Sequence, residues 1–176
     1  MPVEMNDTSR GVIYFSHGTK HLARLLVSIW SLRWHYRGPI LILDTGASGG
    51  IIEQIAAEPM LQVSVKTIPL VQRRRHSCYV TKASLWRHSP FDVTVFLDAD
   101  TLVVAPIDTL FHFADNWDFV ATAFSTWTTR TPIIAGRVAK WLTIESPPGW
   151  DIPGLVKVCM WDEARPAVNT GVMAWH

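Results

Sequence analysis

Residues 93–104, VTVFLDADTLVV, decide the fold of this chain. The first five are aliphatic, aromatic or β-branched, which is typical of a strand buried in a parallel sheet. The run ends in two carboxylates, Asp98 and Asp100, which project to the same side about 6 to 7 Å apart if the alternation of the strand continues. Two anions beside an apolar strand favour a bound cation, and hard oxygen ligands are typical of Mg²⁺ or Mn²⁺ sites.

Strand and helix patterns alternate on both sides of this stretch. Strands are predicted at residues 11–16, 40–43, 63–68, 119–124 and 168–175. A helix is predicted from residue 20 to the stop at Gly38-Pro39, with Leu22, Leu25, Leu26, Ile29, Leu32 and Tyr36 as its apolar positions. Shorter helices are predicted at 51–58, around Tyr79, Ala83 and Trp86, and from residue 106 through Phe113. The alternation predicts an α/β fold with a mostly parallel, Rossmann-like central sheet, flanking helices and a ligand site at the carboxyl ends of the strands.

Composition limits the classes of protein to which the chain can belong. A length of 176 residues predicts one domain, 1–176, in which residues 1–10 are expected to be disordered. The net charge of +1 argues against a nucleic-acid partner. No run reaches the 18 apolar residues of a membrane helix, so no transmembrane segment is expected.

The two cysteines, Cys78 and Cys159, are not in a Cys-x-x-Cys arrangement. This usage is typical of reduced thiols and favours a cytoplasmic protein over a disulfide framework.

Three segments resemble one known family. They are Thr81-Lys82-Ala83 with Trp86, residues 93–111 (VTVFLDADTLVVAPIDTLF), and Asn169-Thr170-Gly171-Val172-Met173. Together they resemble the glycogenin-like family 8 glycosyltransferases, which have a GT-A fold. Ser31-Leu32 near the end of the first helix is similar as well, whereas residues 125–166 do not match and are expected to be a variable insertion.

The resemblance implies transfer of a sugar from a nucleotide-diphosphosugar, usually a UDP-sugar, to an acceptor hydroxyl with retention of configuration. It implies a Mn²⁺ (or Mg²⁺) ion held by Asp98 and Asp100, with Lys82 as the third catalytic residue, at the donor's diphosphate or sugar. The implied donor-binding residues are Phe15, Ser16, His17, His21, Lys82, Asp98, Ala99, Asn169 and Gly171. The acceptor can be a carbohydrate, a protein or a small molecule.

The sequence departs from the family pattern in three places. His21 stands where the family often has tyrosine, and Gly18 stands where it often has a polar side chain. Family members continue past the Asn-x-Gly strand to a histidine-containing motif that supplies a third metal ligand, and His176 is not at that position. We therefore expect either a fragment or a C-terminally shortened member of the family.

Two other functions remain open from the residues. A haloacid-dehalogenase-type phosphohydrolase also places Asp-x-Asp after an apolar strand, although there the pair lies near the start of the chain. A non-catalytic nucleotide-sugar-binding remnant would keep the donor half of the site without the third metal ligand.

Three weaker signals favour structural roles. The basic run at residues 73–76, RRRH, is typical of a solvated loop rather than a nucleic-acid site. His17 and His21 have helical spacing but lack the Glu and the third ligand of a zinc site. Most of Trp127, Trp141, Trp150 and Trp161 are expected in packing, with a sugar-stacking role open for at least one.

Overall fold

Six strands form the central sheet of the computed structural model, which describes residues 9–71, 77–126, 142–143, 151, 153–154, 157 and 166–176. The strands are β1 (Arg10–Ser16), β2 (Ile40–Asp44), β3 (Val63–Thr67), β4 (Val93–Leu97), β5 (Phe119–Thr126) and β6 (Pro166–Trp175). The helices are α1 (Leu22–Arg33), α2 (Ile51–Ala56), α3 (Ser77–Lys82) and α4 (Asp108–Asn116), and a short 3-10 helix spans Leu85–Arg87.

The strand order is β3-β2-β1-β4-β6-β5. Strand β1 is parallel to both neighbours, so that Tyr14 lies opposite Ile42 of β2 and Leu97 of β4. Strand β3 is also parallel to β2, whereas β6 pairs antiparallel with β4 and places Val172 opposite Leu97. The carboxyl ends of β1, β2 and β4 therefore meet at one edge of the sheet, as the predicted mostly parallel α/β fold requires.

Apolar side chains alternate between the two faces of the sheet because successive strand residues point in opposite directions. One face contributes Val12, Tyr14, Ile40, Ile42, Val95 and Leu97 to a core that also contains the buried residues of α1, α2 and α4. The other face contributes Ile13, Leu41, Leu43, Phe96 and Met173, which pack with Leu85 of the 3-10 helix. The 3-10 helix and α1 thus lie on opposite sides of the sheet.

Arg33 fastens the end of α1 to the chain around it. Its buried guanidinium donates hydrogen bonds to four backbone carbonyls, those of Leu61 and Gln62 (both 2.6 Å), Gly38 (2.7 Å) and Tyr36 (3.3 Å). Burial lowers the pKa of the Arg33 guanidinium. The helix end, the turn into β2 and the turn before β3 are therefore held by one side chain.

The predicted strands are confirmed, with β1 beginning at Arg10, one residue inside the segment expected to be disordered. The helix predicted through Tyr79, Ala83 and Trp86 is wrong in its second half, since α3 ends at Lys82 and only the 3-10 helix follows. The Ser84 amide and hydroxyl both donate to the Thr81 carbonyl (3.0 and 2.9 Å), which ends the regular helix there.

Two residues of the predicted apolar face of α1 do not lie on that face. Leu26 is exposed, because the buried stripe runs through Leu22, Leu25, Ile29 and Leu32. Tyr36 lies beyond the helix end, where its ring stacks on that of Phe111 with centroids 5.6 Å apart.

The chain divides into two compact units. One contains residues 1–121 and 170–176, and the other contains residues 122–169. In the second unit, the Gly154 amide donates to the Asp151 carboxylate at 2.9 Å. The prediction of a single domain stays a prediction.

Several features of the sequence lie outside the described residues. They are the basic run 73–76, Cys159, the four tryptophans 127, 141, 150 and 161, and residues 1–8. Among the helices that the structure describes, none has the length and apolar character needed to cross a bilayer.

Candidate functional site

Lys82 and Asp98 form the central contact of the site. The Lys82 Nζ atom lies 2.6 Å from Asp98 Oδ1, at the carboxyl end of β4. The same ammonium lies 4.9 Å from the centroid of the Phe96 ring, and only 16% of the lysine side chain is exposed. Since Lys82 is the last residue of α3, the end of that helix holds a positive charge against the first aspartate.

Asp100 faces a different cation. Its Oδ2 atom lies 3.7 Å from the guanidinium of Arg24 on α1, and both side chains are largely exposed. This ion pair is long and open to water, so its contribution to stability is small. Each aspartate of the pair therefore has a basic neighbour, one close and one loose.

The two aspartates suit a hard divalent cation. Asp98 keeps its second oxygen, Oδ2, as a possible ligand, and the exposed Asp100 can turn from Arg24 toward an ion. Within the described ranges no three His, Cys, Asp or Glu side chains come together, so two carboxylates are the protein ligands on hand. Mg²⁺-type sites often have one or two carboxylates, with waters and substrate phosphates as the remaining ligands, and the donor set fits that pattern.

Ser31 of α1 anchors the segment that follows the aspartates. Its hydroxyl accepts a hydrogen bond from the Val103 amide at 3.0 Å and donates one to the Ser28 carbonyl at 2.8 Å. The Ser28 hydroxyl in turn bonds to the Tyr14 hydroxyl at 3.0 Å. This chain of hydrogen bonds connects β1 to the backbone three residues after Asp100.

The ends of β1 and β2 form the neighbouring part of the edge. His17 Nδ1 and Thr45 Oγ1 share a hydrogen bond of 2.7 Å. Thr45 sits in a turn made by Asp44, whose Oδ2 accepts from the Gly46 amide (2.7 Å) and the Ser48 hydroxyl (3.3 Å). The turn after β2 thus orients the first histidine of the predicted site.

The other predicted residues of the first loop differ in exposure. Ser16 is buried at the end of β1, and Phe15 is partly buried against the second core cluster. His21 is exposed and immediately precedes α1, where its carbonyl accepts from the Leu25 amide. Of this group, His17 and His21 present side chains to solvent at the edge.

Strand β6 contributes through its backbone. The Gly171 carbonyl accepts a hydrogen bond of 2.8 Å from the Asp98 amide, so this predicted residue directly positions the first aspartate. Asn169 lies in β6, but its side chain is outside the described part of the structure. Ala99 packs partly against the first core cluster.

A pocket of about 600 Å³ adjoins Lys82. It is lined by Lys82, Ala83, Trp86, Asp118, Phe119, Thr170, Met173, Trp175 and His176. Its volume is typical of small-molecule sites, and its walls are mostly apolar and aromatic. A second cleft, of about 540 Å³, lies at the other aspartate and is lined by Ala23, Arg24, Val27, Asp100, Thr101 and Leu102.

Sequence reasoning missed Arg24, Thr45 and the role of Ser31 in this site. Arg24 follows His21 by three positions, which places both on one side of the helix start and was the available signal. Thr45 follows the end of β2, and the ends of neighbouring parallel strands always meet. Nothing in the sequence indicates that Ser31 reaches Val103.

Comparison with known proteins gives a match in structure but not in sequence. No protein-family model and no curated protein sequence matches the chain.

Three solved structures illustrate the similarity in fold. The galactosyltransferase LgtC, in complex with donor and acceptor sugar analogues, has a TM-score of 0.60 and 15% identity, covering 94% of this chain and 57% of LgtC. The apo form of mouse xyloside xylosyltransferase 1 has a TM-score of 0.58 and 15% identity, covering 95% of this chain and 66% of the mouse chain. The glycosyltransferase GlyE of Streptococcus pneumoniae TIGR4 has a TM-score of 0.53 and 15% identity, covering 95% and 34%.

The chain thus spans between one third and two thirds of the length of these proteins. All three are glycosyltransferases. The six-stranded, mostly parallel sheet with flanking helices is the fold of the GT-A glycosyltransferases.

Proposed function

We propose that this chain carries the donor half of a glycogenin-like family 8 glycosyltransferase, which transfers a sugar from a UDP-sugar to an acceptor hydroxyl with retention. The observation that carries the proposal is the Lys82–Asp98 contact of 2.6 Å at the carboxyl end of β4, with Asp100 two residues later. A fold shared with glycosyltransferases supports this function over a haloacid-dehalogenase-type phosphohydrolase. The fold alone does not identify the sugar donor, so the donor has to be inferred from the chemistry of the site.

The aspartates would hold a Mn²⁺ or Mg²⁺ ion. When bound, such an ion supplies Lewis-acid neutralisation of the charge that develops on the leaving diphosphate. Asp98 contributes an oxygen that is already fixed by Lys82 and by the Gly171 carbonyl on its amide. Asp100 is the more mobile ligand because its present ion pair with Arg24 is exposed and weak.

Lys82 supplies a fixed positive charge beside the diphosphate. Its ammonium is held by a carboxylate and an aromatic ring, so little side-chain freedom remains to be lost when the donor binds. The 600 Å³ pocket that Lys82 lines has room for a sugar, with aromatic walls for stacking. We nominate no general base, because in a retaining transfer the leaving phosphate can accept the proton of the incoming hydroxyl.

His17 and His21 are the candidates to contact the nucleoside. They are exposed at the ends of β1 and at the start of α1, and His17 is oriented by Thr45. An imidazole can stack on a base or donate to a ribose hydroxyl.

Calorimetric titration of UDP into the protein, with Mn²⁺ or with EDTA, tests the donor site. Binding should require Mn²⁺, and Asp98→Asn or Asp100→Asn should weaken it at least about tenfold because each removes a charged ligand. Lys82→Met should also weaken it roughly tenfold or more, through loss of a charge-assisted contact to phosphate.

Asp92→Asn is the matched control, because Asp92 is an exposed carboxylate at the opposite end of β4. Equal binding in all four variants, or binding that EDTA does not weaken, would contradict the proposed site.

Turnover distinguishes a catalytic glycosyltransferase from a non-catalytic remnant. Donor hydrolysis or transfer with Mn²⁺ supports the enzyme, whereas metal-dependent binding without turnover supports the non-catalytic nucleotide-sugar-binding remnant.

A further inference from the structure

Helix α1 presents an apolar stripe to solvent, opposite its buried face. Ala23, Val27, Trp30 and Trp34 recur at intervals of four, three and four, so they share one side of the helix. Trp34 is 73% exposed and Val27 57% exposed. A tryptophan left in water at this level is costly in a soluble protein, which makes the stripe a candidate interaction surface.

The segment after the aspartates extends this apolar surface. Leu102 and Val27 line the same cleft, and the Val103 amide is bonded to Ser31 of α1, so the segment lies alongside the helix. Leu102 and Val104 are 62% and 77% exposed on either side of the buried Val103. We call the set Val27, Trp30, Trp34, Leu102 and Val104 the apolar patch.

The charged residues that flank the α1 side of the patch are basic. No acidic residue occurs between Asp7 and Asp44, whereas Lys20, Arg24 and Arg37 are exposed within that interval. The segment after β4 contributes one exposed acid to the same cleft, Asp100, which is paired loosely with Arg24. An exposed apolar face with tryptophans and flanking bases is typical of helices that lie in the interface of an anionic membrane.

We propose that the apolar patch docks this protein on an anionic lipid bilayer. The aliphatic and indole side chains enter the boundary between headgroups and acyl chains, while Lys20, Arg24 and Arg37 meet the negative surface. The binding is peripheral and does not depend on the proposed sugar transfer. Because Arg24 contacts Asp100, docking brings the side of the site at Asp100 close to the membrane surface.

Vesicle flotation tests the proposal without any nucleotide or sugar. The protein should float with vesicles of equal parts phosphatidylcholine and phosphatidylglycerol, and should not float with phosphatidylcholine alone. The double variant Trp30→Ser/Trp34→Ser should reduce the partition coefficient by about tenfold or more, because two buried indoles are lost. Lys20→Gln and Arg37→Gln should each reduce the partition coefficient about fivefold. Added salt should also lower the partition coefficient of the unmodified protein.

The matched controls are Trp86→Ser and Arg87→Gln. Both residues are exposed in the 3-10 helix on the other side of the sheet, so neither should change flotation. Equal binding to both vesicle types, or an unchanged partition of the tryptophan and basic variants, would overturn the proposal. So would a dimer in sedimentation velocity that the double variant dissociates, because a second copy would then occupy the patch. If the double variant Trp30→Ser/Trp34→Ser does not fold, the variants Lys20→Gln and Arg37→Gln still test the proposal.

Discussion

A single arginine shows how far one residue can control the architecture of this molecule. The Arg33 guanidinium donates to four carbonyl oxygens, from two separate turns of the chain. A buried cation among carbonyls is stabilised by the dipoles of these groups. Removing it would leave several buried acceptors without donors, and each such loss costs about 1 to 3 kcal/mol.

Arg33→Met should therefore lower the free energy of unfolding by about 3 kcal/mol, even though methionine fills much of the same space. Urea unfolding followed by circular dichroism measures this change. Arg37→Met is the control, since Arg37 is an exposed arginine four residues later and its loss should cost less than about 0.5 kcal/mol. Similar losses for the two variants would show that the carbonyl contacts of Arg33 contribute little.

Individual site residues were predictable where a chemical pattern preceded them. Asp98 and Asp100 stood out because carboxylates are costly beside an apolar strand, and Lys82 because its segment resembled a known family. Arg24 and Thr45 did not stand out. Their roles arise from contacts between segments far apart in sequence, Arg24 with Asp100 and Thr45 with His17, and only their positions after His21 and at the end of β2 pointed to the site.

At the scale of elements, the segment after β4 depends on α1 for its position. Thr101 donates its amide to the Asp98 carbonyl at 3.0 Å, and Val103 donates its amide to the Ser31 hydroxyl at 3.0 Å. These two bonds fix the backbone on either side of Leu102, close to Asp100. The second bond is the one that a side-chain substitution can remove.

Ser31→Ala should expose the Val103 amide to faster hydrogen exchange. Loss of one hydrogen bond of about 1 kcal/mol predicts exchange roughly fivefold faster, while Ser31→Thr, which keeps a hydroxyl, should preserve protection. Amide exchange measured by nuclear magnetic resonance reports this directly, with the Ile42 amide of β2 as the internal reference. If Val103 and Ile42 change together, the substitution has lowered global stability instead of loosening this segment.

Elements were predicted well where periodicity was strong and poorly where side chains compete with the backbone. All six predicted strands are found in the sheet, because alternating or continuous apolar runs suit a buried strand. The helix through Trp86 failed because the Ser84 hydroxyl takes the Thr81 carbonyl. The antiparallel direction of β6 follows from where the chain returns to the sheet, and strand composition carries no such information.

At the scale of the whole molecule, Tyr14 links stability to pH. The residue is fully buried in β1, and burial raises the pKa of its hydroxyl well above the ordinary value of about 10. The unfolded chain loses this proton first as the solution becomes alkaline. The contribution of Tyr14 to stability is therefore complete below about pH 10 and is lost as the pH rises above that value.

The free energy of unfolding should fall with pH above about 10, with Tyr14 contributing about 1.4 kcal/mol per pH unit. Tyr14→Phe should remove that part of the slope, at the cost of about 1 kcal/mol near neutral pH because the bond to Ser28 is lost. Urea titrations at several pH values measure both effects. An unchanged alkaline slope in Tyr14→Phe would show that other groups dominate the titration.

The overall fold could be predicted from the alternation of strands and helices, together with the resemblance carried by residues 93–111. The arrangement of charge at the site could not. The pairing of Asp98 with Lys82 and of Asp100 with Arg24 depends on the positions of α1 on one face of the sheet and of the end of α3 beside Phe96 on the other.

The place of β6 in the sheet has a consequence for how the protein folds. Residues 172–175 pair with residues 94–97, so one edge of β4 has no partner until a much later segment of the chain arrives. Contacts between distant segments slow folding, and an unpaired strand edge can associate with another chain in the meantime. The hydrogen bond of the Asp98 amide forms only when the same segment is in place, because its acceptor is the Gly171 carbonyl. The first aspartate is therefore positioned at the same step that adds β6 to the sheet.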